Sequence, residues 1–167
     1  MRSLTLLSWA LALVTAWGLV AAGTLPARAA SDMPLVKVLL AGQELLAEAP
    51  RTNPERYRGL SGRPSLAPGR AMIFTFLPAQ KAHMHMTGMQ FGIDFIWARE
   101  GRVLGVTPKV YPTPPRLQSI VAPAPVDVVL EVPAGWAAAH GVKAGMPLEL
   151  ASAQAQGKSS AKRKQNP

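Results

Sequence analysis

Phe91-Gly92-Ile93-Asp94-Phe95-Ile96-Trp97-Ala98, followed by Arg99-Glu100-Gly101-Arg102-Val103-Leu104-Gly105-Val106-Thr107, decides the reading of the fold. The first eight residues are apolar, β-branched or aromatic except for one carboxylate, and they match the length of one strand. Glu100-Gly101 is a tight-turn signal, and residues 102–107 form the returning strand. Working outward, residues 126–132 read as a strand interrupted only by Asp127 and Glu131. Residues 71–77 read as another, and residues 82–87 as a weaker one. Residues 35–40 turn at Ala41-Gly42-Gln43 into a hairpin partner at 44–49, and residues 148–150 close the sheet.

Helical signals are few. Thr52 with Glu55 fits a capping box and Pro54 suits a first turn, so a short helix is expected over 54–60 with Gly62 as its C-cap. Pro133-Ala134-Gly135 opens a second, alanine-rich helix ending at His140. Residues 61–70 are a loop. Residues 108–125 hold six prolines and are expected to be an extended loop. The fold class is therefore mainly β (α+β): a compact barrel-like or folded-over antiparallel sheet with two short helices.

The remaining segments divide the 167 residues into parts. Residues 1–29 carry a short positive start at Met1-Arg2, an uncharged apolar run over 4–22, and Ala27-Arg28-Ala29 as a cleavage site. That is the order of a secretory signal peptide, with cutting expected after Ala29 and Ala22 or Ala30 as alternatives. The competing reading is an uncleaved inner-membrane anchor formed by residues 4–22, which are just long enough to span. Residues 30–34 are a linker, 35–150 a single domain, and 151–167 a basic tail without apolar pattern, expected to be disordered. The tail touches anionic surfaces weakly at most.

The chain is thus expected in the periplasm or secreted. The net charge of +9 belongs largely to its ends: Arg2 and Arg28 lie in the leader, and Lys158, Lys162, Arg163 and Lys164 in the tail. Between residues 31 and 157, twelve basic side chains face nine acidic ones, too mild a surplus for a nucleic-acid binder. The absence of cysteine excludes disulfides, thiolate metal sites, thiol catalysis and a lipoprotein anchor.

Six blocks in order carry a family resemblance. They are Arg58-Gly59-Leu60-Ser61-Gly62-Arg63; Met72-Ile73-Phe74 with Phe76; His85 with Gly88-Met89-Gln90-Phe91-Gly92-Ile93-Asp94; Gly101-Arg102-Val103; Val129-Leu130-Glu131-Val132-Pro133-Ala134-Gly135; and Gly141-Val142-Lys143-Ala144-Gly145. Together they resemble the domain of unknown function family 192 from about residue 36 to 150. The resemblance implies a small β-rich fold, often exported, and no established activity. Gly92 stands where family members often carry proline, Ser61 replaces a common methionine, and His83-Met84-His85-Met86 is richer in soft ligands than the usual pattern.

Those soft ligands form the densest chemical candidate. Imidazole and thioether select Cu(I) without a thiolate, so His83, Met84, His85, Met86 and Met89 are a candidate cuprous set. Strand alternation would put His83 and His85 on one face and Met84 and Met86 on the other. The structural alternative is methionines filling core and histidines facing solvent. Asp94 is the next candidate, because a carboxylate in an apolar strand needs a partner. Arg63 or His85 would serve, and a His85–Asp94 pair would suit acid–base hydrolysis. Glu131 follows the same logic as a loop-tethering acceptor. Tyr57, Tyr111 and Trp136 are groove-lining candidates. No nucleophile elbow, zinc-protease motif or phosphate-cradling loop is present in the sequence. The reading that follows is a non-enzymatic binding or accessory module for a small molecule or an envelope protein, needing no cofactor, with a cleft near Arg63, His85, Met89, Asp94 and Glu131. The alternatives are a copper-handling protein and a small hydrolase.

Overall fold

The computed structural model describes residues 33–113 and 119–152. The expected leader, the first residues of the linker and the tail beyond Ser152 lie outside the described residues. The hairpin of β1 (Leu35–Leu40) and β2 (Gln43–Glu48) leads into α1 (Asn53–Arg58). Then come β3 (Arg70–Gln80), β4 (His83–His85), β5 (Ile93–Arg99), β6 (Arg102–Val110) and β7 (Ser119–Val121). β8 (Val126–Pro133), α2 (Trp136–Ala139) and β9 (Leu148–Ser152) complete the chain.

Seven strands make one sheet in the order β6-β5-β8-β3-β2-β1-β9, and β4 pairs with β7 separately. Among the described residues, only β2 and β3 pair in parallel; α1 lies in the connection that this pairing requires. The sheet curls until its edges touch at one end. There Val103 N–H donates to the Met146 carbonyl at 2.9 Å, Gly145 N–H to Val103 at 2.8 Å, and Leu148 N–H to Gly101 at 2.9 Å. The result is a half-barrel.

Both faces of the central strands β3, β8 and β5 are covered. Ile73, Ile96, Ala98, Leu130 and Val132 point into the barrel with Val38, Leu40, Leu45 and Ala137. Met72, Phe74, Phe95, Trp97 and Val129 point outward, under a layer made by Leu60, Ala82, Met86, Ile120 and Ala122. The alternation read along 93–98 holds: Ile93, Phe95 and Trp97 share the outer core and Ile96 the inner one. Each fully buried aliphatic or aromatic side chain contributes roughly 1.5–3 kcal/mol.

Local differences have local causes. α1 stops at Gly59, not near Gly62. Gly59 takes φ 48° and ψ −127°, a backbone shape that side chains disfavour, while its N–H closes on the Glu55 carbonyl. The weak strand at 82–87 shrinks to His83–His85, because it pairs only with the three residues of β7. β7 itself lies inside the proline-rich stretch expected to be loop, of which residues 114–118 lie outside the described residues. β6 runs on past Pro108 to Val110. The basic tail begins later than residue 151, since Ala151 and Ser152 extend β9 and pair with Lys37 and Val36. A Cβ on Gly92 would collide with the Tyr111 ring, so the glycine here makes room for that tyrosine.

Candidate functional site

The outer face of β3 and β8 is not sealed everywhere. Between it and the α1–β4 layer lies an open cavity of about 280 Å³. α1 and the turn after it form one wall, from Arg56 to Ser61. Phe74 and Phe76 of β3 form another, His83, Met84 and His85 of β4 a third, with Met89 beside them and Glu131 of β8 at the base.

The walls are fixed by short-range chemistry. In the capping box, the Thr52 Oγ1 accepts from the Glu55 N–H at 3.3 Å and Glu55 Oε2 accepts from the Thr52 N–H at 2.9 Å. Those backbone bonds hold the Glu55 carboxyl below its usual pKa. The Arg56 guanidinium lies over Phe74 at 5.6 Å and Phe76 at 4.9 Å, and donates to the Thr75 carbonyl at 3.2 Å. Ser61 Oγ donates to the Thr87 carbonyl, and Gly62 N–H to Gly88 at 2.8 Å, which stitches the turn after α1 to the turn after β4. The His85 ring meets Tyr57 at 5.2 Å between centroids, and its Nδ1 accepts from the Thr87 N–H at 3.3 Å.

Glu131 is the unusual member. In register it sits between Met72 of β3 and Phe95 of β5, both apolar. Only 4% of it is exposed, yet its carboxyl has no hydrogen bond to any described residue. Burial pushes its pKa from an ordinary 4.5 up to about 8, against a smaller opposing pull from the charge of Arg63. At neutral pH the group is therefore mainly an uncharged carboxylic acid, offering one O–H donor and one carbonyl acceptor to the cavity.

The other candidates separate from it. Asp94 is fully buried on the inner face, where Oδ1 accepts from the N–H groups of Lys109 at 2.7 Å and Gly135 at 2.9 Å, and Oδ2 from Ala137 at 2.9 Å. It ties β6 and the start of α2 to β5. Sealed and with both oxygens engaged, it forms no acid–base pair with His85. Arg63 turns to Glu48 instead, in a two-pronged pair at 2.8 Å for each bond, with Arg70 at 3.4 Å. That bonding raises the Arg63 pKa further. Arg63 acts on Glu131 only through its field.

His83, Met84, His85 and Met89 share the cavity wall, whereas Met86 lies past the end of β4 in the outer core, 4% exposed. The expected alternation holds in the packing, since Ala82, Met84 and Met86 turn to the outer core while His83 stays exposed, although His83, Met84 and His85 all border the cavity. Among the described residues, no three His, Asp or Glu side chains are grouped to hold a metal. Of the groove-lining aromatics, Tyr57 borders the cavity; Tyr111 covers Gly92 and Trp136 stacks on His140 at 4.2 Å. Arg56, Arg58, Phe74 and Phe76 are not among the site candidates of the sequence, although Arg58, Phe74 and Phe76 fall in the family blocks. The capping box foretold the helix that carries the two arginines, but nothing in the spacing says which strand it faces.

Comparison with known proteins agrees with this architecture. The profile of the DUF192 family, described as an uncharacterized ACR, matches residues 36–150. A crystal structure of a protein of unknown function from Novosphingobium aromaticivorans DSM 12444 superposes with a TM-score of 0.62 at 29% identity, covering 69% of this chain and 83% of that one. A structure from Sinorhizobium meliloti 1021, described as "a putative transcription regulator", superposes with a TM-score of 0.65 at 25% identity, covering 75% of this chain and 98% of that one. No curated protein matches the chain.

The two buried acids predict opposite responses to mutation. Asp94→Ala leaves three backbone amides, that of Ala137 fully buried, without their acceptor and lowers stability by about 3 kcal/mol in urea unfolding. Glu131 responds through pH. Its folded pKa of about 8 lies above its ordinary 4.5, so the folded chain binds the extra proton between those values. Stability therefore falls as pH rises through that window and levels off above it, by a total on the order of 5 kcal/mol. Glu131→Gln removes this slope, and unfolding midpoints measured from pH 4.5 to 9 check it.

Proposed function

The chain belongs to the DUF192 family, and we propose that it is an exported, non-enzymatic domain that binds a small molecule in the Glu131 cavity. The observation that carries the reading is Glu131 itself. Its side chain is almost wholly buried, yet its carboxyl makes no hydrogen bond to a described residue and lines the open cavity, where a ligand would supply the partner. The cavity has the makings of a ligand site: apolar walls from Leu60, Phe74, Phe76 and Met84, and a few polar groups that converge. What favours binding over catalysis is that the one acid positioned for hydrolytic work in the sequence, Asp94, is consumed by backbone amides.

Export rests on the leader pattern of residues 1–29, and a periplasmic or secreted domain without thiols needs no redox protection. Among the described residues, no helix is long and apolar enough to cross a membrane. The regulator description of the Sinorhizobium protein is not carried over, since the domain's basic surplus is small. A second reading is favoured by a separate observation: His83, Met84, His85 and Met89 line the same cavity, a donor set suited to Cu(I).

One preparation tests these readings. The full chain is produced in a bacterial host, and the periplasmic fraction is examined by intact mass and by amide NMR. Export predicts a mature chain starting at Ala30; a full-length chain in the cytosol contradicts it. Small-molecule binding predicts that hits from a library of small organic fragments shift the amides of Tyr57, Ser61, His85 and Met89 together. Shifts scattered elsewhere, or none, overturn it. Silver(I), a redox-inert stand-in for Cu(I), binds tighter than micromolar if the second reading holds, and weaker if it fails.

A further inference from the structure

The polar groups that surround Glu131 are lopsided in charge. α1 brings Arg56, Tyr57 and Arg58 to the cavity wall, and β4 brings His83 and His85. Arg63 stands behind, tied to Glu48. The register neighbours of Glu131 on the two flanking strands, Met72 and Phe95, are both apolar. Neither Arg56 nor Arg58 has a carboxylate partner among the described residues. Their nearest acid in sequence, Glu55, spends its carboxyl on the backbone N–H groups of Arg51 at 2.7 Å and Thr52 at 2.9 Å. Glu131 is the one acidic side chain lining the cavity among the described residues.

We infer that the ligand is a small monocarboxylate with an apolar body, its carboxylate accepting the Glu131 hydroxyl hydrogen bond while Arg56 and Arg58 supply the counter-charge. This deepens the small-molecule reading and rests on it. A neutral carboxyl donating to a carboxylate makes a charge-assisted bond, about twice as strong as a neutral one. The arrangement works only while Glu131 keeps its proton; ionised, it places a second negative charge against the ligand. Phe74, Phe76, Leu60 and Met84 offer the body of the ligand an aromatic and aliphatic seat. The volume of about 280 Å³ admits a single ring with a short substituent and excludes large polymers. A cationic ligand is disfavoured by the same two arginines.

Benzoate and its neutral isostere benzamide are the probes, titrated into the mature chain by calorimetry and followed by amide NMR. At pH 7 benzoate binds at least tenfold tighter than benzamide. Raising the pH to 9.5, with benzoate ionised throughout, weakens benzoate binding by a factor of about ten or more as Glu131 ionises, and leaves benzamide nearly unchanged. Glu131→Gln keeps a neutral donor, retains benzoate binding and loses the alkaline decline, with every other polar side chain of the wall untouched in this variant. The Arg56→Gln, Arg58→Gln double variant loses the preference for benzoate over benzamide while its thermal midpoint, read alongside, reports that it is folded. Equal binding of the two probes, or an alkaline decline unchanged in Glu131→Gln, overturns the carboxylate assignment. If neutral fragments alone shift Tyr57, His85 and Met89, the cavity stands as a binding site and only the carboxylate fails. If nothing shifts them, both fail.

Discussion

The central strands β3, β8 and β5 are covered on both sides, by the barrel interior and by the α1–β4–β7 layer, and this double burial constrains everything else. A polar side chain on such a strand cannot be satisfied by solvent, so it must find partners within the fold or leave a defect. The strands carry two fully embedded acids, and the fold treats them differently. Asp94 points inward, where the ends of β6 and α2 bring three backbone amides to it. Glu131 points outward, to a stretch where the outer layer stands off the sheet. The first acid closes the structure; the second faces a space.

The outer layer stands off because of how it is built. α1 is only six residues long and buries none of them, so it lies on the sheet through the arginine–aromatic contacts of Arg56 with Phe74 and Phe76 rather than through an apolar stripe. β4 is held by a three-residue partner and by the turn contacts at Thr87 and Gly88. Neither element is broad enough to cover Glu131 completely. The Glu48–Arg63–Arg70 cluster then fixes the loop between α1 and β3, so the gap does not close by collapse of that loop. An ion pair with Glu48 only 5% exposed and both oxygens engaged by Arg63 is costly to break on one side.

Much of this was readable in the chain, and the boundary of legibility is physical. Strand existence followed from β-branched runs and turn dipeptides, and the parity of 93–98 placed Phe95 and Ile96 on opposite faces correctly. The Thr52–Glu55 capping box located α1 because both halves of the motif are local. What escaped was non-local. That β7 would arise within the prolines depended on β4 as a partner, and that Arg63 would choose Glu48 over Asp94 depended on the parallel β2–β3 pairing that brings Glu48 opposite Met72. Both acids looked alike in sequence, each a single carboxylate in an apolar strand. Only the elements arriving from elsewhere, amides for Asp94 and an incomplete lid for Glu131, distinguish them.

That distinction also bears on how a fold of this kind acquires a site. Stability alone would favour an apolar residue at position 131, since the strand around it is apolar and the carboxyl gains no hydrogen bond from the described residues. Its electrostatic setting is not neutral either: desolvation dominates over the attraction of Arg63, whose charge is already spent on Glu48. A second acid placed near Glu131 would raise its pKa still further, and a freed arginine would lower it until it ionised. The fold supplies neither, and so maintains the group in its protonated form near neutral pH. A neutral acid in a cavity whose wall also carries Arg56 and Arg58, while Arg63 is the charge that acts on it, is a poor structural device and suits an anionic ligand, so the residue that weakens the fold also sets the chemistry of the cavity.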